Sequence, residues 1–265
     1  MSAYLLHYLA LGLVSGFVAG LLGVGGGLLM VPALVFIFTA GGFAADRVLL
    51  FALATSLAVI AFTALSSLRA HHAHGAVDWR VVRRISPGIV IGTLFGAWLA
   101  TLLPATFLKY FFVAFLFYAA TQMLLNIKPH AHRGLPGNAG MFAAGNIIGV
   151  ISSWVGIGGG TLSVSFLLWC NIKMHRAIGT SAAIGFPIAV AGMLGYVLSG
   201  WSAPAMPVHS LGYVYLPALA LVAITSILTA PLGARAAHRL PVAALKKIFA
   251  ILLYSLGIHM ALSLA

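Results

Sequence analysis

Long apolar runs alternate with short segments that carry nearly all of the charge. The runs are Tyr4–Ala45, Val48–Leu68, Ile85–Leu108 and Tyr110–Ile127, followed by a polar stretch from Lys128 to Asn138. Beyond it, Gly134 to Ile172 and Ala177 to Ala234 hold no Lys, Arg, Asp or Glu. Trp201, Pro204, Pro207 and His209 divide the second of these, and Ile248–Ala265 is the last run. A helix rises about 1.5 Å per residue and the hydrocarbon core of a bilayer is about 30 Å thick, so a run near 20 residues predicts one spanning helix.

Two runs are too long for that. Leu5–Phe38 would measure roughly 50 Å as one straight helix, and Ala139–Cys170 is nearly as long. Each is interrupted at the same internal place. The first holds Gly23-Val24-Gly25-Gly26-Gly27 and the second Gly156-Ile157-Gly158-Gly159-Gly160, an offset of 133 residues. Gly12 and Gly16 align with Gly145 and Gly149 at that same offset. Thr55-Ser56 matches Thr180-Ser181 at an offset of 125, and Gly96-Ala97 with Pro104 matches Gly233-Ala234 with Pro241 at 137. The chain is therefore two related halves. We take 1–127 as an N-terminal membrane repeat, 128–137 as a cytoplasmic linker rich in Pro and Gly, and 138–265 as a C-terminal membrane repeat.

Composition narrows the class. Of 265 residues, 62% are hydrophobic and 6% charged, against roughly 25% charged in soluble domains. Mean hydropathy is +1.12. So few charges cannot cover a soluble surface of this size. A soluble enzyme and a disordered chain are excluded, and an all-α polytopic protein in a lipid bilayer remains. The excess of 14 Lys and Arg over 2 Asp and Glu does not signal nucleic acid. Those cations sit between apolar runs, where the positive-inside rule puts them. No Lys or Arg precedes the first run, so residues 1–30 read as retained rather than as a cleaved leader. Cys170 reads as a packed, inert thiol.

The cations also discriminate topologies. If every run were a plain span, four per half, the sides would hold 6 and 8 of the Lys and Arg. If each glycine-broken run enters and returns on one side, each half crosses three times and the second half is inverted. Arg69, Arg80, Arg83, Arg84, Lys128, Arg133, Lys173, Arg176, Arg235, Arg239, Lys246 and Lys247 then share one side, 12 against the 2 of Arg47 and Lys109. That predicts two inverted-topology repeats, each a glycine-broken re-entrant hairpin plus three spanning helices. Both termini are then outside. Helices broken at the glycines with two full crossings give the same charge pattern.

Candidate chemistry lies in the glycine runs: Gly23, Gly25, Gly26 and Gly27, with Gly156, Gly158, Gly159 and Gly160. One reading is close helix packing. The other is a turn with positive φ at membrane depth, whose restarted helix aims its positive end at a bound anion. Thr55, Ser56, Thr180 and Ser181 would donate to the same anion, or bond back to their own helices. Asn146 and Gln122 read as interhelical glue. His71, His72 and His74 read as part of a solvated basic loop with Arg80 and Asp78, and Asp46 as a surface partner of Arg47. No metal, cofactor or catalytic constellation is predicted.

These motifs carry a family resemblance. Gly16–Pro32, with GLLGVGGGLLMVP, is similar to the first signature of the TauE/SafE sulfite-exporter family, and GVISSWVGIGGGTLSV followed by HRAIGTSAA resembles its second. ADRVLLFALATS spaces Arg47 from its Thr-Ser pair more widely than HRAIGTS spaces Arg176. The resemblance implies a transporter, not an enzyme, of the bacterial inner membrane, carrying small sulfur-containing oxyanions such as sulfite or organosulfonates. Alternating access is the expected mechanism. A passive anion channel and a carrier of another small organic anion are the alternatives, and self-association is left open.

Overall fold

The computed structural model describes residues 2–22, 26–125, 134–204, 206–237 and 242–262. Ten helices follow in order: α1 (Ser2–Leu22), α2 (Gly27–Ala40), α3 (Val48–Ala73), α4 (Trp79–Leu102), α5 (Ala105–Leu124), α6 (Asn138–Val155), α7 (Gly160–Trp169), α8 (Met174–Gly200), α9 (Leu216–Ala237) and α10 (Val242–Leu262). Between α8 and α9 lies a short antiparallel hairpin, β1 (Ser210–Leu211) and β2 (Val214–Tyr215). It turns at Gly212, whose φ is 53°. Among the described residues, five helices are long and apolar enough to cross a membrane: α3, α4, α5, α8 and, within α9, Leu216–Gly233.

Both overlong runs break at their glycines. α2 has 14 residues and α7 has 10, so they are about 21 and 15 Å long at the usual helical rise, well short of a bilayer. α1 and α6, at 21 and 18 residues, reach about 31 and 27 Å. The Tyr4 hydroxyl donates to the Ala40 carbonyl at 2.6 Å, joining the start of α1 to the end of α2.

The two halves are interleaved rather than side by side. α3 and α8 pack on each other at the centre, with 83% and 61% of their apolar stretches buried, against 44% for α4 and α5 and 33% for α9. α1 packs against α9, α6 against α4, and α5 against α10. Glycine makes the first two seams. A Cβ on Gly149 would lie 2.6 Å from the Ile89 carbonyl oxygen and 2.7 Å from Thr93 N, and one on Gly145 would reach Ile85 O at 2.5 Å. Opposite them, Gly88, Gly92 and Gly96 of α4 receive Phe142, Asn146 and Val150 of α6. Gly12 and Gly16 play the matching part against Val222 and Ser226 of α9. Where the tails of lipids are as apolar as the helices, such close backbone approach is a main source of association.

Side-chain bonds add to the seams. Trp154 Nε1 donates to Gly96 O at 2.9 Å, Ser226 Oγ to Gly12 O at 3.0 Å, and Gln122 Nε2 to Ser165 Oγ at 2.9 Å. Gln122 is thus interhelical glue between α5 and α7. The outward faces are apolar, with Phe95, Trp98, Leu198, Ile224, Leu228 and Ile251 exposed, as a lipid-facing surface requires.

Some boundaries differ from the sequence reading. Arg80, Arg83 and Arg84 were expected in a loop but lie in the first turns of α4. Asp78 caps that helix, accepting from Arg80 N at 3.1 Å and Val81 N at 3.3 Å. An N-cap carboxylate starts the helix before its apolar part begins, so the arginines are carried into it. His71 and His72 likewise end α3, with Trp79 Nε1 donating to His72 Nδ1 at 3.1 Å. The run Ile85–Leu108 is divided at Leu103 and Pro104, where Pro leaves Leu103 extended. Asp46 does pair with Arg47, at 3.5 Å on the surface.

Candidate functional site

The glycines that precede α2 and α7 have the same backbone conformation. Gly26, before α2, has φ 68° and ψ −9°; Gly159, before α7, has φ 75° and ψ −5°. They stand 133 residues apart. Both are left-handed, a conformation that glycine adopts without a Cβ penalty. Gly156, which ends α6, is also left-handed, with φ 68°. Gly23 and Gly25 lie outside the described residues. Neither helix start has a side-chain cap, so the first N–H groups of α2 and α7 rely on other partners.

The turns meet. A Cβ on Gly27 would collide with the Gly156 carbonyl oxygen and approach Ile157 Cα and Ile60 Cδ1 to 3.1 Å each. Gly185 of α8 packs as tightly on Gly158, its Cβ position 2.6 Å from Gly158 O. Gly26, Gly27 and the whole run from Gly156 to Gly160 are buried. The junction therefore lies between α3 and α8, the most enclosed of the candidate spans.

The Thr-Ser pairs are buried on those two helices, but their hydroxyls differ in use. Thr55 Oγ1 accepts from Tyr215 N at 3.1 Å, and Thr180 Oγ1 accepts from Asp78 N at 2.9 Å. Each threonine thus receives the residue just before the other half's fourth helix. Ser56 Oγ donates to Gly156 O at 2.9 Å and so holds the second glycine turn. Ser181 Oγ is buried with no partner.

Sequence reasoning passed over four further buried hydroxyls, Thr93 in the α4–α6 seam and three beside the second glycine run. Ser152, Thr161 and Ser163 are buried and unpartnered, and they flank the second glycine run. Aligning the two glycine segments would have exposed them. At the offset of 133 their first-half counterparts are Ala19, Leu28 and Met30.

Charges stay away from the junction. Arg176, at the start of α8, is exposed. Among the described residues no three His, Cys, Asp or Glu side chains converge as metal ligands would. Cys170 is a free thiol, 4% exposed, and burial raises its pKa. At the Arg47 end, a cavity of about 230 Å³ is lined by Tyr4, Tyr8, Phe43, Tyr215 and Leu221, among others. There the Arg47 guanidinium donates to Pro204 O.

The sequence profile described as sulfite exporter TauE/SafE matches residues 8–260. The chain belongs to the TauE/SafE family. It is an integral membrane protein of a transporter family. A "probable membrane transporter protein" of Haemophilus influenzae is 38% identical over 264 residues, covering 99% of this chain and all of the relative. The probable membrane transporter protein YunE of Bacillus subtilis is 30% identical, over 72% of this chain and 77% of its own length. A relative of the same description from Methanocaldococcus jannaschii is 25% identical over 95% and 93%. No solved structure matches. In this TauE/SafE protein the two uncapped helix starts come together at the centre of the bundle.

Proposed function

We propose that this TauE/SafE protein is a secondary transporter of a small sulfur-containing oxyanion, of the sulfite or organosulfonate class, working by alternating access in the bacterial inner membrane. The observation that carries the reading is the meeting of the two left-handed glycine turns at Gly27 and Gly156. Two helix starts without side-chain caps meet there, with no buried charged side chain among the described residues, and helix N-termini favour anions. Buried turns between helices fit a carrier that closes over its substrate better than an open aqueous channel.

Three contacts support inverted repeats with returning glycine hairpins. Tyr4 beside Ala40 brings the first broken run back to its own side. Asp78 bonded to Thr180, and Arg47 to Pro204, put together chain ends that a plain four-span arrangement would hold on opposite faces of the bilayer. With the positive-inside rule, the basic face is cytoplasmic and both termini are periplasmic.

Purified protein in proteoliposomes tests the function directly. Sulfite, sulfoacetate, thiosulfate and sulfate are offered outside, with and without the same anion inside. Saturable uptake of at least one, accelerated by internal anion, is the expected result. Non-saturable flux indicates a channel, and no flux of any of the four sinks the substrate class.

A further inference from the structure

We propose that the anion is held asymmetrically, on the C-terminal half, at the start of α7. Its ligands are the first-turn N–H groups with the hydroxyls of Thr161 and Ser163, and the site prefers monoanions to dianions. This rests on the transporter reading above and deepens it.

Hydroxyls in membrane helices ordinarily return their proton to the carbonyl one turn back. This protein follows the habit elsewhere. Ser165 donates to Thr161 O at 2.9 Å, Thr225 to Leu221 O at 2.8 Å, Thr229 to Thr225 O at 2.9 Å and Ser86 to Val82 O at 2.7 Å. Thr161 and Ser163 do not: they are 8% and 0% exposed and have no hydrogen-bond partner within the protein. A buried hydroxyl without a partner is costly; away from the glycine turns, Thr93 in the α4–α6 seam is another.

Position explains what they face. Thr161 is the second residue of α7, and the carbonyl four residues back belongs to the glycine turn. Ser163 Oγ lies 3.1 Å from the point a Cβ on Gly159 would occupy, so it sits beside the helix cap. Gly159 itself has no side chain to cap α7. Ser163 Oγ thus stands beside the uncapped start of α7, and Thr161 lies in its first turn. Ser152 and Ser181 are also buried and unpartnered. Ser152 stands one turn before Gly156, and its carbonyl accepts from Gly156 N at 2.9 Å.

The first half has the same helix cap without the chemistry. Gly26 repeats the left-handed cap, but Leu28 and Met30 replace Thr161 and Ser163. If folding required the hydroxyls, both turns would carry them. Their presence on one side only points to a ligand.

The donors are all neutral, and the helix end supplies the equivalent of roughly half a positive charge. The cation nearest along α8, Arg176, is exposed and precedes Gly185 by nine residues, about 13 Å of rise. The cost of stripping water from an ion grows with the square of its charge. Without a cation to offset it, a second negative charge is not repaid. Sulfonates and bisulfite fit the site; sulfate does not.

The test uses the full-length purified protein. Calorimetry measures binding of methanesulfonate and of sulfate, and counterflow of methanesulfonate is followed in proteoliposomes. Wild type is expected to bind methanesulfonate at least tenfold more tightly than sulfate. Thr161→Val and Ser163→Ala should each weaken methanesulfonate at least tenfold while keeping the anion-free Tm, because no protein partner is lost. Ser165→Ala, whose hydroxyl is already satisfied within the protein, should keep wild-type affinity. Wild-type affinity in Thr161→Val and Ser163→Ala, or a loss of affinity that merely follows a loss of anion-free Tm, overturns the site, as does a wild type that binds neither anion. Equal binding of sulfate and methanesulfonate overturns the monoanion preference. Loss of binding in the variants with no counterflow in wild type upholds the site and sinks the transporter reading. Equal counterflow in wild type and both variants does the reverse.

Discussion

Thr180 Oγ1 accepts the backbone N–H of Asp78 at 2.9 Å, tying the buried helix α8 of the second half to the start of α4 in the first. Thr55 Oγ1 accepts Tyr215 N at 3.1 Å in the converse sense. Tyr215 follows Asp78 by 137 residues, the offset that relates Gly96 to Gly233. The two bonds are one arrangement used twice. Valine keeps the shape of threonine but leaves the N–H without an acceptor. Thr55→Val and Thr180→Val should therefore each destabilise the protein by about 1–2 kcal/mol. The measurement is loss of folded protein on heating in detergent. Unchanged thermal stability in both would show that the bonds contribute nothing.

Gly26→Ala and Gly159→Ala should each reduce transport at least tenfold. Alanine at a left-handed position costs about 1–3 kcal/mol in strain. Each new methyl also meets a neighbour, backbone at Gly26 and side-chain ends at Gly159. At Gly26 it lies 2.8 Å from the Ser15 carbonyl oxygen; at Gly159 it strikes Ile188 and crowds Ser163. Flux per folded molecule, with folding read from gel filtration, is the decisive quantity. Wild-type flux in both variants would leave the turns as packing alone.

The α4–α6 seam makes a sharper stability forecast. A Cβ at Gly149 meets backbone atoms on both sides, and backbone cannot rotate away. Gly149→Val should cost more than about 3 kcal/mol, at or beyond the upper range for overpacking. Gly134→Ala is the control, since nothing lies within 4 Å of its Cβ position. It should be silent. Equal Tm values for the two variants would refute the seam.

Much of this architecture is visible in the chain because glycine and charge are constrained by physics that leaves a pattern. Repeated glycines fix both helix breaks, and the eight-residue change of offset appears as a shorter α7 and a shorter loop after it. Other features leave weaker traces. Arg80, Arg83 and Arg84 look like loop residues, yet a long basic side chain on a helix can reach the interface from within its first turns. The hairpin Ser210–Tyr215 is too short for strand periodicity. The roles of Thr55 and Thr180 depend on partners 160 and 102 residues away. The unpaired state of Ser163 is a fact of packing, so no motif announces it. Only the contrast between two aligned halves, Ser against Met, makes it legible.

Orientation can be decided with two engineered cysteines. His74 follows α3 and Ser202 follows α8, and both are exposed. In a chain of plain spans, four per half, the two positions fall on the same face of the membrane. In the inverted arrangement they fall on opposite faces, because each glycine-broken run returns to its own side. Cys170 gives little background: it is 4% exposed, and burial disfavours the reactive thiolate. We expect a membrane-impermeant maleimide added to intact cells to label Ser202→Cys and to leave His74→Cys untouched. His74→Cys should react once the membrane is opened, because the cations at Arg69, Arg80, Arg83 and Arg84 hold its end in the cytoplasm. Labelling of both positions from one side would defeat the inverted topology. Labelling of His74→Cys alone from outside would keep the inversion and reverse the orientation.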